Sequence, residues 1–520
     1  MIETINSPTR SPLTLTPIAE RPRGARAVEL IAVGLALCLV IALQFLLTDS
    51  WWLFTRHFWL DEIYTNTLVT DPSAGHAFRA LGSGVETHPP ALYLLLRGYG
   101  ALVHASDEIV LRSFALLAVV LGLVGIYGCL RYCFAAWASF AAVLALWCHP
   151  LVLDQAFNAR FYGPWMAAAA WCAYLLVRQR SGRFQWIAGL ALAMCAALVC
   201  TIHYFGIISL ALIAAAEVGA RRRARLPLAG LSWMVAGPLA LAACLPLLRG
   251  QGHALTETTW MAPVTWKGAV GLFRAFVLDL PFGWLALAAW LSIALRKAAR
   301  RDDYGSLDPL WGLTALVGLP VVMVVFSYLV QPAYDSRYCF PAVAGLAGAA
   351  AWICSYCSRG WTFGLCGWLV LVGAVTLDQT GQRAKALWVT VPDRLIAELR
   401  KDTDEAPIVF ELPWQLYVVY RYAPDLRSRC VLLDYETGEI GNRLQGEIFA
   451  RDLARRFSEF YAEPPAKRWA DISRWRGFYL VPSDYGLAAK PPPVDAFYPG
   501  FHVTPVAPGV YRLTAANSEG

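Results

Sequence analysis

Two adjacent carboxylates, Asp61 and Glu62, stand in Trp59-Leu60-Asp61-Glu62-Ile63-Tyr64-Thr65, soon after an apolar run that ends at Leu47. Charge among aromatics that suit a membrane interface is costly unless it is used. One of the pair can act as a general base toward a hydroxyl. Downstream come His88 in Thr87-His88-Pro89-Pro90-Ala91-Leu92-Tyr93, Arg112-Ser113, Arg160 and Tyr162 in the run Gln155 to Tyr162, the pair His203-Tyr204, and Arg337-Tyr338 in Tyr334-Asp335-Ser336-Arg337-Tyr338. A carboxylate base facing several Arg and His at a membrane surface suits transfer of a group from a lipid phosphate to a hydroxyl. The carboxylate takes the acceptor proton while the cations stabilise charge on the departing phosphate. The planar fork of Arg is well matched to that second task.

The elements that must carry these residues are membrane helices. The 520-residue chain is 58% hydrophobic and 16% charged, against roughly 25% charged in an ordinary soluble domain. With 21 Trp and a mean hydropathy of +0.47, it is too apolar for disorder or a nucleic-acid-binding module. The 13 Cys lie almost all in or beside apolar segments, which excludes a disulfide framework. A polytopic membrane protein remains, and the net charge of +7 is read as loop charge that sets orientation.

Residues 1–26 form a Pro/Ser/Thr-rich tail with Arg21, Arg23 and Arg26 before the first span, Ala27 to Leu47. Further apolar stretches lie near 89–104, 109–130, 134–153, 163–178, 185–202, 204–219, 228–248, 283–296, 309–330, 338–357 and 361–378. Placing Arg131, Arg178 to Arg183, Arg221 to Arg225 and Arg296 to Arg301 in the cytoplasm puts 48–88, 154–162, the turn at His203, 249–282 and 331–337 outside. Segment 89–104 breaks the parity. It is short, opens on Pro89-Pro90 and carries Arg97, so it is expected to lie in the membrane plane or to be re-entrant; a full crossing there would flip the loops downstream. The expectation is an α-helical polytopic membrane protein of about 11–13 transmembrane helices. Residues 27–378 form the membrane domain and 379–520 an extracytoplasmic α/β domain, with strands expected at Ile408-Val409-Phe410, Cys430-Val431-Leu432-Leu433 and Gly477-Phe478-Tyr479-Leu480-Val481.

Over residues 30–378 the sequence resembles the GT-C class of polytopic glycosyltransferases, in the branch of protein O-mannosyltransferases, lipid A aminoarabinose transferases and rhizobial lipopolysaccharide galacturonosyltransferases. The resemblance rests on Trp59-x-Asp61-Glu62, His88-Pro89-Pro90-x-x-Tyr93, Arg112-Ser113, Ala159-Arg160-Phe161-Tyr162, His203-Tyr204 and Arg337-Tyr338-x-x-Pro341, in that order and on one side of the membrane. It implies inverting transfer of a sugar from a polyprenyl-phosphate donor to a lipid, glycan or protein acceptor at the outer face of a bacterial inner membrane. The N-terminus is then cytoplasmic and the C-terminal domain periplasmic. It also implies Asp61 as base and Glu62 in acceptor positioning or charge tuning, with donor contacts from His88, Arg112, Arg160, Tyr162, His203, Tyr204, Arg337 and Tyr338.

No cofactor or metal is expected, and no nucleic-acid partner. Asp402-Thr403-Asp404 reads as a solvated turn. The loop Gln251 to Trp266 could close over the cavity as a lid or be an ordinary interfacial loop. A transporter or flippase of lipid-linked sugars is the main rival; it predicts ionisable residues near mid-membrane, whereas here they gather at one face.

Overall fold

The computed structural model describes residues 23–180, 186–256, 264–277, 308–401, 404–434, 448–482, 498, 500–507 and 509–516. Among these, four helices are long and apolar enough to cross a membrane: Gly24–Leu47, Asp107–Leu130, Trp311–Leu329 and Arg359–Lys401. Two bent pairs bring the number to six if each is one span: Ala136–Trp147 with Pro150–Ala156, broken by 71°, and Leu228–Ala243 with Leu245–Gly252, broken by 46°. Other expected segments form shorter or less apolar helices, such as Trp186–Ile202 and Ala342–Ser355. The apolar run 283–296 lies outside the described residues, as do 257–263 of the expected lid, whose beginning lies in the helix Leu245–Thr256; Trp266–Val277 at its end is helical.

The ambiguous segment 89–104 folds as the helix Ala91–Gly100, 10 residues long. At 1.5 Å per residue it spans about 15 Å, half of a bilayer core of about 30 Å. Pro89 and Pro90 set its start, and Arg97 caps the carbonyls of Leu68, Val69 and Asp71. It therefore packs under the Asp-Glu helix, Leu60–Thr70, as a support.

The boundary expected after residue 378 falls inside one continuous helix, Arg359–Lys401. The apolar run ends there, but Gln382, Arg383, Ala384 and Lys385 are good helix formers, so the helix carries on out of the membrane. It passes through a single π turn at Ala386–Thr390.

Beyond it lies a six-stranded sheet of order β3-β2-β1-β4-β6-β5. β1 (Ile408–Phe410), β2 (Cys430–Asp434), β3 (Ala466–Arg468) and β4 (Gly477–Val481) run parallel, while β5 (Phe501–Ala507) and β6 (Val510–Ala515) close the edge antiparallel. The three expected strand runs are β1, β2 and β4. Side chains alternate across a strand. Val409, Val431, Phe478 and Leu480 accordingly fill a core on one face, whereas Ile408, Phe410, Leu432 and Tyr479 join the main core through the helices Pro413–Tyr422 and Ile448–Tyr461.

Those two helices seat on the Asp-Glu helix and the loop before it. The Tyr64 ring lies 5.3 Å from Tyr417 and 4.9 Å from Phe457. Arg421 pairs with Asp107 at 2.9 Å. The Tyr422 hydroxyl accepts the Phe58 N–H at 2.9 Å and donates to Glu108 at 2.8 Å. Tyr422→Phe leaves the Phe58 N–H without its acceptor, so stability should fall by about 1–2 kcal/mol. Thermal unfolding of purified protein in detergent reads this, and an unchanged midpoint would remove that contact from the docking account.

Candidate active site

The Asp-Glu helix begins at Trp59, whose extended backbone (φ −85°, ψ 170°) turns the chain into it. Glu62, at the third helical position, accepts the Trp59 N–H at 3.3 Å, the carboxylate half of a capping box. Acids in a first turn also suit the positive end of the helix dipole. Adjacent helical residues point about 100° apart, so the two carboxylates meet different surroundings.

Glu62 faces inward and is fully buried. Arg112 donates to it at 2.7 and 3.3 Å, Arg56 at 3.3 and 3.4 Å and the Ala159 N–H at 2.9 Å. Burial pushes its carboxyl up, but Arg112, Arg56 and these hydrogen bonds outweigh that and hold it below the usual carboxylate range. Burial, then the Arg112 charge, brings Arg56 down to about 10 against the pull of Glu62.

This network corrects one expectation. Arg112 is 0% exposed, and its N–H groups go to Glu62 and to the carbonyls of Phe54, Arg56 and His57. A guanidinium has five N–H donors, and here all are engaged. Arg112 holds the loop before the Asp-Glu helix and has nothing left for a donor phosphate. Glu62, enclosed by the same groups, cannot reach an acceptor.

Asp61 points the other way, with 28% of its side chain exposed. Arg160 Nη2 stands 4.0 Å from its Oδ2. Burial raises the Asp61 carboxyl; Arg160 opposes and Glu86 adds to the rise, and the net shift is upward. A partly accessible carboxylate with a raised pKa is what a general base needs.

Arg160 is 3% exposed. Its Nη1 donates to Glu86 at 2.8 Å, to Thr65 at 2.8 Å and to the Asp61 carbonyl at 3.0 Å. Its buried Nε has no partner. Glu86, whose other oxygen lies 2.7 Å from His88 Nδ1, is held well below the usual range, because Arg160 and His88 outweigh the rise from burial. Burial lowers the His88 pKa and Glu86 only partly restores it, so the ring is predominantly neutral near pH 7.

His203 completes the inner wall. Its ring stacks on Trp165 at 4.7 Å and 14°, and lies 4.3 Å from Phe161, 5.4 Å from His88 and 5.4 Å from Tyr338. Its Nδ1 accepts the Phe205 N–H at 3.1 Å. Burial, with His88 and Arg160 nearby, drives its pKa well below the ordinary value. The reversal after it needs Gly206, where a Cβ would meet the Val199 carbonyl oxygen at 1.7 Å. Tyr162 and Tyr338, with rings 6.5 Å apart, close the wall toward Arg337. That side chain bonds Asp335 at 3.0 and 3.1 Å and lies 5.9 Å over the Trp59 ring.

Seven of the expected positions thus converge: Asp61, His88, Arg160, Tyr162, His203, Arg337 and Tyr338. Tyr204 does not. Its hydroxyl donates to Gln251 at 2.7 Å, and the Gln251 amide donates to the carbonyls of Leu81 and His88. Tyr204 therefore steadies the backbone of His88 through Gln251.

Two carboxylates escaped the sequence reading. Glu86 precedes the His-Pro-Pro run by two residues, a spacing that lets one carboxylate reach the imidazole of its near neighbour. Asp154, exposed in the helix Pro150–Ala156, accepts from Gln155 at 2.6 Å and lies in the field of Arg56 and Arg337. Among the described residues no group of three His, Cys, Asp or Glu could hold a metal ion.

The fold is similar to two crystal structures of ArnT from Cupriavidus metallidurans. The apo state gives a TM-score of 0.59 at 13% identity, covering 94% of this chain and 98% of that one. The form bound to undecaprenyl phosphate gives 0.55 at 12% identity, covering 93% and 98%. No family model and no curated protein sequence matches the chain. At these identities the likeness establishes the fold, and the chain shares the fold of ArnT along nearly its whole length.

Glu62→Gln leaves Arg112 and Arg56 buried around a neutral group, so it should cost on the order of 3–5 kcal/mol. Asp61→Asn, at a partly exposed site, should fold normally. Size-exclusion profiles and thermal midpoints of the two variants in detergent test the contrast; equal behaviour would contradict the division of labour between the two acids.

Proposed function

We propose that this protein is a membrane glycosyltransferase that moves a sugar from a polyprenyl-phosphate donor to an acceptor hydroxyl, with inversion, at the periplasmic face of a bacterial inner membrane. The N-terminus is then cytoplasmic and the C-terminal domain periplasmic. The observation that carries this reading is the pairing of Asp61 with Arg160. The carboxyl is partly exposed and raised toward basicity. Beside it stands a guanidinium whose Nη1 is saturated and whose buried Nε has no partner. The Nε–Nη2 edge of a guanidinium is the one that takes a phosphate in two parallel hydrogen bonds. The similar fold of ArnT bound to undecaprenyl phosphate supports a donor of that type.

In this mechanism the donor phosphate lies against Arg160, with Arg337, over the Trp59 ring, as the second cation. Asp61 takes the proton of the acceptor hydroxyl as its oxygen attacks the anomeric carbon from the face opposite the phosphate. The bond from that carbon to the phosphate oxygen breaks, and its electron pair leaves with the polyprenyl phosphate. The two guanidinium groups meet the charge that develops on the leaving oxygen. His88 and His203, both lowered toward the neutral form, can donate to or accept from sugar hydroxyls without adding charge. Phe161, Trp165 and Tyr338 wall the sugar from lipid. The acids and cations gather at one membrane face, which favours a transferase over a carrier.

Transfer by purified protein in nanodiscs, with a panel of polyprenyl-phosphate sugars and an outer-membrane lipid extract, tests the reading. Asp61→Asn should abolish transfer while retaining undecaprenyl-phosphate binding; full activity in that variant would remove Asp61 from the mechanism. Arg160→Lys keeps the charge but loses the fork, so the donor KM should rise about tenfold or more.

The acid limb of kcat/KM reports the base in the free enzyme. Since the Asp61 carboxyl is raised, activity should fall as pH drops through a value above the ordinary 3.9 of aspartate. Glu86→Gln removes a negative neighbour that adds to this rise, so the limb should move to lower pH. A limb that stays in place would assign it to another group.

A further inference from the structure

Three indoles stand between Asp61 and the C-terminal domain. Trp59, two residues before Asp61, lies under the Arg337 guanidinium. Its ring centroid is 6.3 Å from that of Trp388, at 45°, and Trp388 is 6.1 Å from Trp414, at 81°. All three are half-buried. The rings turn from one to the next, Trp388 and Trp414 meeting edge to face, and they form a half-buried aromatic wall, packed on the main core, that leads from the Asp-Glu helix to the helix Pro413–Tyr422.

The middle ring is placed by a local distortion. Trp388 is the central residue of the π turn Ala386–Thr390, and single π turns inside α-helices are rare and frequent at functional sites. The Trp388 carbonyl accepts the His57 N–H at 3.2 Å, which ties the turn to the loop leading into the Asp-Glu helix. A regular helix through these residues would rotate Trp388 relative to the segment below it and shift it off the line between Trp59 and Trp414.

The wall is set back from the membrane surface. Trp51, 59% exposed, and Trp52 follow the first span after Thr48-Asp49-Ser50, and the Lys385 ammonium lies 4.4 Å over the Trp52 ring, an arrangement typical of the interfacial belt. Trp388 is about one helical turn beyond Lys385, and Trp414 belongs to the soluble domain. Exposed charge borders the rings: His57 Nε2 lies 2.8 Å from Asp393 Oδ1, and Asp393 is 59% exposed. An acyl chain needs a continuous apolar lining. A pyranose has apolar C–H faces that lie on the negative face of an aromatic ring, with hydroxyls around its rim that bond charged groups.

We propose that Trp59, Trp388 and Trp414 form an acceptor subsite for a saccharide, so that the hydroxyl delivered to Asp61 belongs to a glycan. This rests on the transferase reading and names its acceptor class. The C-terminal domain then supplies the outer part of the subsite through Trp414.

The test uses the full-length protein in nanodiscs and, as probe, delipidated oligosaccharides from a Gram-negative outer membrane, with binding read by saturation-transfer NMR and donor binding read separately with undecaprenyl phosphate. Trp388→Ala and Trp414→Ala should each weaken oligosaccharide binding about tenfold, the size expected for removing a central aromatic contact, and leave undecaprenyl-phosphate binding unchanged. Trp414→Tyr should retain most of the affinity, which separates a lost ring face from a fold defect. In transfer assays the alanine variants should raise the acceptor KM with little change in kcat. Oligosaccharide binding that is absent in the wild type, or equal in wild type and alanine variants, would overturn the proposal and return the rings to interfacial anchoring. Wild type that binds the oligosaccharides but neither binds undecaprenyl phosphate nor transfers sugar would instead count against the transferase reading while leaving the saccharide subsite standing.

Discussion

A buried charge is tolerated only when it is paired and hydrogen-bonded, and the site is organised around one that meets this condition. Glu62 sits at 0% exposure with two arginines and two backbone N–H groups on its oxygens. Taking three ions out of water costs several kcal/mol each, so the cluster is stable only in the arrangement that satisfies every donor. That requirement fixes four chain segments relative to one another: the loop at Phe54 to His57, the start of the Asp-Glu helix, the first turns of the helix Asp107–Leu130 that carries Arg112, and the turn at Phe157 to Ala159. Arg160 follows that turn directly, so its approach to Asp61 is set by a network in which neither of the two takes part. The energetic expense of Glu62 is better understood as specificity of geometry than as a gain in stability.

The same logic accounts for the placement of the C-terminal domain. The helix bearing Asp61 is 11 residues long, shorter than an isolated helix needs to be stable in water, and it lies outside the long apolar spans. It is held from below by Ala91–Gly100 and from above by Tyr417 and Phe457. Arg421 and Tyr422 close the contact on Asp107, Glu108 and the Phe58 N–H. The C-terminal domain is thus a wall of the site, and the continuous helix Arg359–Lys401 is the strut that carries it.

What the sequence revealed follows from the range of each interaction. The convergence of Asp61, His88, Arg160, His203 and Arg337 was legible because polar groups are conspicuous against an apolar background, and the strands β1, β2 and β4 because short apolar runs between turns mark buried strands. Arg112 was misread because an arginine at a helix start looks the same whether it faces a cavity or fills one; only the carbonyls of Phe54, Arg56 and His57, more than fifty residues away, decide the matter. Tyr204 failed for the same reason through Gln251. Glu86 was within reach of local reasoning, since its partner His88 is two residues on. The break after residue 378 was drawn where hydropathy changes, but helical hydrogen bonding does not depend on hydropathy.

Charge balance explains why the two acids of the pair could not exchange roles. Around Glu62 two guanidinium groups face one carboxylate, and burial is relieved by an excess of positive charge. Around Asp61 the principal cation, Arg160, is already shared with Glu86, and burial prevails over the remaining attraction. The first arrangement produces an inert anion and the second a basic one, from side chains that differ by one methylene and stand side by side in sequence. Moving Glu86 away would release Arg160 to Asp61 and weaken the base; moving it closer to Asp61 would set two carboxylates against each other. Its position on the Nη1 side of the Arg160 guanidinium leaves the Asp61 carboxyl raised, while the buried Nε of that guanidinium has no protein acceptor.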